Sequence, residues 1–163
     1  MLQLVRSFRE LRVSELMDVY EESNRKAARH MRADSEEFAL MLAEQDFRQY
    51  LREVFFRTPG AVYALWTDCG RYVSALRLEL YRDGMIVSAL ETLPAARGKG
   101  YGSALLEAVL REYSGTVIYS HISPRNASSL RIHEKCGFRI ISDQAVYLDG
   151  SVDSRCRTYC YIP

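Results

Sequence analysis

Arg97-Gly98-Lys99-Gly100-Tyr101-Gly102, running directly into Ser103-Ala104-Leu105-Leu106-Glu107-Ala108-Val109-Leu110, is the stretch on which the fold turns. Three glycines let the backbone bend tightly and approach a ligand closely. The apolar run behind them is a helix whose first N–H groups lack partners and whose dipole is positive at that end. Such a junction cradles an anion. It is not a Walker loop, because no Gly-Lys-Ser/Thr follows a glycine at the required spacing. The dinucleotide fingerprint fails at Ser103, where its third glycine belongs, and Val117-Ile118-Tyr119-Ser120 offers no acid for a ribose hydroxyl.

Downstream, residues 126–138 read Asn-Ala-Ser-Ser-Leu-Arg-Ile-His-Glu-Lys-Cys-Gly-Phe. Asn126 is a good helix N-cap, Gly137 suits the left-handed position past the helix end, and Phe138 can pack back on the last turn. Upstream, Leu2 to Phe8 predicts a strand, and Ser14 caps a helix carrying Leu16, Val19, Tyr20, Ser23, Ala27 and Met31 on one side. Asp34 and Glu37 resemble a capping box opening a second helix, which ends near Pro59-Gly60. Strands follow over Ala61 to Thr67, Arg71 to Tyr81 and Met85 to Leu93, with Asp83-Gly84 as a hairpin turn. After the glycine loop and its helix come the strand Thr116 to Ser123, the short helix from Asn126, and strands Arg139 to Leu148 and Arg155 to Ile162. No repeat or low-complexity tract interrupts this α/β order, and one domain over 1–163 is expected.

The chain has 163 residues, 48% of them hydrophobic, enough for a substantial core. Its net charge of +1 supplies no field for nucleic acid or an anionic membrane, so neither is the expected partner. Charges at Arg6, Arg9 and Glu10 interrupt the N-terminus too early for a signal peptide, and no run is long enough to span a membrane. A cytoplasmic location is expected. Cys69, Cys136, Cys156 and Cys160 form no CxxC pair and predict reduced thiols; Cys156 and Cys160 share a strand face by parity, which favours packing over zinc. No metal site is expected.

The Arg97-x-x-Gly-x-Gly loop and the 126–138 block, in this order and with one strand between them, resemble the GNAT superfamily of acyl-CoA-dependent N-acyltransferases. The element order agrees. The resemblance implies a mixed, mostly antiparallel sheet of about seven strands, four flanking helices, and a parallel strand pair splayed apart for a pantetheine arm. It also implies transfer of an acetyl group from acetyl-CoA to a primary amine of a small molecule or peptide, and it leaves a homodimer open. The alternative is a non-catalytic acyl-CoA sensor or regulatory domain.

Residue by residue, the resemblance assigns the cofactor's pyrophosphate to backbone N–H groups of Gly98, Lys99, Gly100, Tyr101 and Gly102, with charge from Arg97 and Lys99. Backbone contacts to the pantetheine fall at Leu93, and Asn126 bonds the same arm. Glu91 interrupts an apolar strand before the loop and is a catalytic base, a partner for the substrate amine, or one half of a structural salt bridge. His121 ends the next strand, where some relatives carry a base; an imidazole there can take a proton or simply bond a backbone group. His133 stands where the family usually has an acid tyrosine, and as imidazolium it could protonate the departing thiolate. The acceptor pocket is expected between the first two helices and the last strands, with Tyr20, Glu21, Tyr50 and Tyr147 near it.

Overall fold

The computed structural model describes residues 1–163. Its strands, in chain order, are β1 (Leu2–Val5), β2 (Val62–Asp68), β3 (Arg71–Tyr81), β4 (Gly84–Thr92), β5 (Ile118–Ile122), β6 (Arg139–Ser142), β7 (Ala145–Val146), β8 (Val152–Asp153) and β9 (Arg157–Tyr161). Seven of them form one mixed sheet in the order β1-β2-β3-β4-β5-β9-β6; β7 and β8 form a separate hairpin. Only β4 and β5 are parallel.

Period-two patterning gives the sheet two apolar faces. On β2, Val62 and Ala64 point to one side while Tyr63 and Leu65 point to the other. The first side is covered by α4 (Tyr101–Glu112), whose Leu105, Leu106, Val109 and Leu110 recur at helical spacing, and by α5 (Ala127–Lys135). The second is covered by α1 (Val13–Val19) and α3 (Glu36–Glu53) through Leu16, Val19 and Leu51, and by Tyr20 at the start of α2 (Glu21–Ala28), which packs against α3.

Five helices replace the four expected, because the helix predicted from Ser14 is interrupted at Tyr20. Tyr20 leaves helical geometry with its ring buried, and its hydroxyl donates to the Ala89 carbonyl oxygen at 2.6 Å. This tertiary bond overrides a helical pattern that carries no break of its own. The cap positions also shift. Arg12, whose side chain makes no capping bond, precedes α1 in place of Ser14, and Ser35 rather than Asp34 caps α3 by accepting from the Phe38 N–H at 3.1 Å. The strand expected over Arg139 to Leu148 breaks at Asp143-Gln144, where Thr158 Oγ1 donates to the Gln144 carbonyl at 2.8 Å and β7 turns away to pair with β8. Cys156 lies before β9 rather than on it, and all four cysteines are free thiols.

β4 and β5 are paired only from Met85–Ile118 to Val87–Ser120; beyond this the two strands part. On its other edge β4 bulges, since Arg77 faces Ser88 but Ala75 faces Glu91, and Ala89 takes the extra residue's place with φ +52°. The parallel junction leaves no room at its start. A Cβ on Gly84 would lie 2.0 Å from the Val117 carbonyl oxygen, which accepts the Met85 N–H at 3.0 Å. Gly84→Ala is therefore expected to cost about 3 kcal/mol, the upper end for overpacking. Thermal denaturation should show it as a fall in Tm of roughly 6–12 °C.

Candidate functional site

Where β4 and β5 separate, a cleft of about 1400 Å³ opens between the two strand ends. The glycine loop, Thr92 and the start of α4 form one end of it, and Asn126, Ser129, Ile132 and His133 of the α5 region form a side. The other end lies between Ser23, Lys26, Tyr50 and Val54 of the helical layer and Tyr147, Leu148 and Asp149 at the tip of the β7–β8 hairpin.

The three loop glycines act for different reasons. Gly98 and Gly100 take φ of +77° and +81°, left-handed values that cost other residues about 1–2 kcal/mol, and the space beside both is open. Gly102 is inside α4, where a Cβ would approach Ile132 Cδ1 at 3.2 Å and Thr92 Oγ1 at 3.3 Å; it lets the helix start sit close to α5 and the end of β4. Gly100 caps α4 without a side-chain bond, which leaves the first-turn N–H groups of a twelve-residue helix available to a ligand. Asn126 Oδ1 accepts the Ser129 N–H at 3.1 Å and so caps α5, while its Nδ2 has no protein partner.

The other loop side chains are placed less simply. Arg97 lines the cleft but forms a two-pronged ion pair with Glu22 at 2.7 and 2.9 Å, joining the loop to α2. Lys99 is exposed and does not line the cleft. Tyr101 turns its hydroxyl to Asp68 at 2.5 Å, anchoring the loop to the β2–β3 turn. Leu93 also lies outside the lining; its N–H donates to Val73 and its carbonyl accepts from Ala96. Leu90, Glu91 and Thr92 face the opening in its place.

Glu91 stands in the cleft just past the bulge and accepts a hydrogen bond from Ser23 Oγ of α2. Burial raises its carboxyl above the ordinary value, against the lowering effect of Ser23 and of the Arg97 and Lys26 charges. It forms no salt bridge, so of the three roles open to it the base and amine-partner roles fit the geometry. Ser23 carries no motif; the break at Tyr20 brings it there, and the sequence expectation of one continuous helix missed it.

His133 is 2% exposed. Its Nδ1 lies 2.8 Å from the Ser129 carbonyl oxygen, which only accepts, so Nδ1 carries the proton and Nε2 presents a bare lone pair that is buried without a partner. Burial holds the imidazole below its usual pKa. The Ser129 contact and the burial both weigh against the imidazolium acid read from the sequence and favour a ring that offers the cleft an acceptor. Its placement follows from the α5 terminus, where the Phe138 N–H donates to the His133 carbonyl at 3.0 Å past left-handed Gly137, and the two rings meet edge to face at 4.9 Å.

His121, unlike His133, has both nitrogens engaged, Nε2 with the Val146 carbonyl at 3.0 Å and Nδ1 with Thr158 Oγ1 at 3.1 Å. Burial lowers its pKa, and its ring packs edge-on between Tyr81 and Tyr147. The geometry suits a bracket for the β7–β8 hairpin better than a free base. Of the other acceptor-side residues, Tyr50 and Tyr147 line the cleft, Tyr20 is beneath it, and Glu21 pairs with Arg25 on the surface at 2.9 Å. No cluster of three His, Cys, Asp or Glu side chains could hold a metal ion, and no helix is long and apolar enough to cross a membrane.

The whole chain superposes on solved acetyltransferases. The PaiA N-acetyltransferase of Thermoplasma acidophilum, in complex with coenzyme A, is similar with a TM-score of 0.64 at 13% identity, covering 100% of this chain and 99% of that one. The IAA acetyltransferase of Bacillus cereus gives 0.62 at 15%, with 100% and 99% covered, and YncA of Salmonella typhimurium with its cofactor acetyl-CoA gives 0.58 at 18%, with 99% and 92% covered. The fold is thus of the acetyltransferase class. A family model described as the acetyltransferase (GNAT) family matches residues 25–138. The chain belongs to that family and is an acyltransferase. No curated protein matches it in sequence.

Proposed function

We propose that this protein transfers the acetyl group of acetyl-CoA to a primary amine of a small molecule or peptide. The observation that carries the reading is the placement of Glu91, a partly buried carboxylate without a salt bridge, in the cleft that begins at the glycine cradle. Acetyl-CoA supplies an activated thioester when bound. The residues present fit it. The open loop with free α4 N–H groups accepts a pyrophosphate, Asn126 Nδ2 has a hydrogen to donate, and His133 Nε2 is a buried acceptor awaiting an N–H or S–H.

Glu91 takes the ammonium proton, and burial makes it a stronger base than an exposed carboxylate. Ser23 orients that carboxylate. Backbone groups of β4 past Val87, which have no partner strand on the β5 side, hold the arm that carries the acetyl group. His133 positions the arm, and the departing thiolate takes its proton from solvent.

Calorimetric titration with CoA, NAD and ATP, followed by CoA release with a panel of amines, tests the reading. Tight CoA binding with acetyl transfer to an amine is expected. CoA binding with no transfer to any amine would favour the acyl-CoA sensor, and preference for NAD would end both readings. His133 supplies a separate expected result. His133→Ala should weaken CoA binding by roughly 2- to 10-fold, as for loss of one neutral hydrogen bond, and change kcat little. The wild-type pH–rate profile should show no falling limb between pH 5 and 8 that the alanine variant lacks. A kcat collapse in His133→Ala with unchanged CoA affinity would restore the acid role.

A further inference from the structure

Along β4 the side chains change sides once out of turn. Val87 packs on the α4 side of the sheet, and Ser88, opposite Arg77 and in line with Tyr63, is on the α1 side. Regular alternation would put Ala89 back on the α4 side and Glu91 with it. Instead Ala89 packs on the α1 side, Leu90 on the α4 side, and Glu91, opposite Ala75, returns to the α1 side. The one extra residue reverses the parity of everything after it. Without it Glu91 would point toward α4, and Thr92, which lies against the start of α4, would point away. The bulge is what aims the carboxylate at Ser23 and the cleft.

That bulge is not self-supporting. Ala89 holds φ +52°, a left-handed value that a residue with a Cβ adopts only under constraint, and pairing with β5 has already ended at Val87. Ser74 Oγ donates to the Glu91 carbonyl at 2.7 Å, which leaves the stretch from Ser88 to Leu90 with a single side-chain anchor. This anchor is the Tyr20 hydroxyl, donating to the Ala89 carbonyl at 2.6 Å from a ring 2% exposed. Edge-to-face contacts with Phe47 at 5.3 Å and Tyr63 at 6.3 Å fix the ring in turn. Three residues further along, Ser23 holds the Glu91 side chain. The start of α2 thus grips this segment twice, once on the backbone of the bulge and once on the carboxylate.

We propose that Tyr20 is a positioning residue for acetyl transfer, its hydroxyl locking the β4 bulge in the register that turns Glu91 toward the acceptor amine. This rests on Glu91 as the base. In this role Tyr20 touches neither substrate nor cofactor.

Tyr20→Phe keeps the ring contacts and removes the hydroxyl alone, so Tm should fall only by roughly 1–6 °C, as for one buried hydrogen bond. Turnover is followed as CoA release from acetyl-CoA with whichever of spermidine, lysine, ethanolamine and an N-terminal alanyl peptide wild type acetylates fastest. The single-turnover rate should drop roughly 10- to 100-fold, as for a small misplacement of a reacting group. CoA affinity should change by less than about 3-fold, because the glycine cradle and Asn126 are remote from the lost bond. The deciding readout is the titration of the Glu91 carboxyl by carbon NMR in the full chain, with Glu91→Gln assigning the signal. Burial holds that carboxyl above 4.5 in wild type, and in Tyr20→Phe it should move toward 4.5. The groups that face it, Glu22 and Lys26 of α2, Arg97 of the loop and the Tyr63 phenol of β2, are the same in both proteins. Tyr20→Phe combined with Ala89→Gly supplies a rescue. Glycine takes left-handed backbone without strain, so the double variant should regain most of the rate and the raised titration.

A wild-type single-turnover rate in Tyr20→Phe, a lost rate with the Glu91 titration unmoved, or a double variant no better than the single overturns the proposal. Glu91→Gln inactive beside a fully active Tyr20→Phe leaves the base in place and removes the role of Tyr20. If Glu91→Gln keeps its turnover, or none of the amines is acetylated, while Tyr20→Phe still shifts the titration, the lock on the bulge stands and the reading of Glu91 as base falls.

Discussion

Glu91→Gln is expected to lower kcat by about 100- to 10,000-fold, the range lost when a positioned general base is removed. Glutamine keeps the shape and can still accept from Ser23, so what disappears is the ability to take a proton. The wild-type rate should fall as pH drops through the raised pKa of Glu91, and the variant should lack that limb. Stability moves the other way. Because the folded chain holds the Glu91 proton more tightly than the unfolded chain, stability falls as pH rises from the ordinary 4.5 through the raised value, and the charge is a burden at neutral pH. Glu91→Gln should therefore melt no lower than wild type at pH 7. Stopped-flow CoA release and thermal melts together check this, and a variant retaining wild-type turnover with chemistry rate-limiting would remove Glu91 as the base.

Gly100→Asp should reduce CoA affinity on the order of 100-fold or more, since it sets a carboxylate beside the free N–H groups where a pyrophosphate would be held. Steric conflict is not the cause, because nothing lies within 4 Å of a Cβ built at Gly100. The left-handed φ of +81° adds about 1–2 kcal/mol of strain, which the fold should survive. Gly100→Asn shares the shape and the strain without the charge, so calorimetry on both variants separates the two effects. Equal losses for Asn and Asp would mean that geometry alone governs the loop.

The parts of the site legible in the sequence are those whose geometry is decided within a few residues. Gly98 and Gly100 take left-handed backbone because nothing else does so cheaply, and Asn126, Gly137 and Phe138 close α5 through bonds that span three to five positions. Expectations drawn from side chains fared unevenly. Arg97 reads as a pyrophosphate cation in the motif, yet it is held by Glu22, 75 residues earlier. His133 reads as an acid where a tyrosine would stand, and only its burial and the Ser129 carbonyl show which nitrogen carries the proton.

By itself the sequence determined the order of the principal strands and helices and the glycine loop, because period-two and period-3.6 patterning and turn residues act locally along the chain. Tertiary structure alone decided the break at Tyr20, the bulge at Ala89, and the meeting of Ser23 with Glu91. Ser23 and Glu91 are 68 residues apart, and no local pattern encodes their pairing. It exists because packing α2 and β4 around one core leaves these polar groups facing each other where the sheet opens.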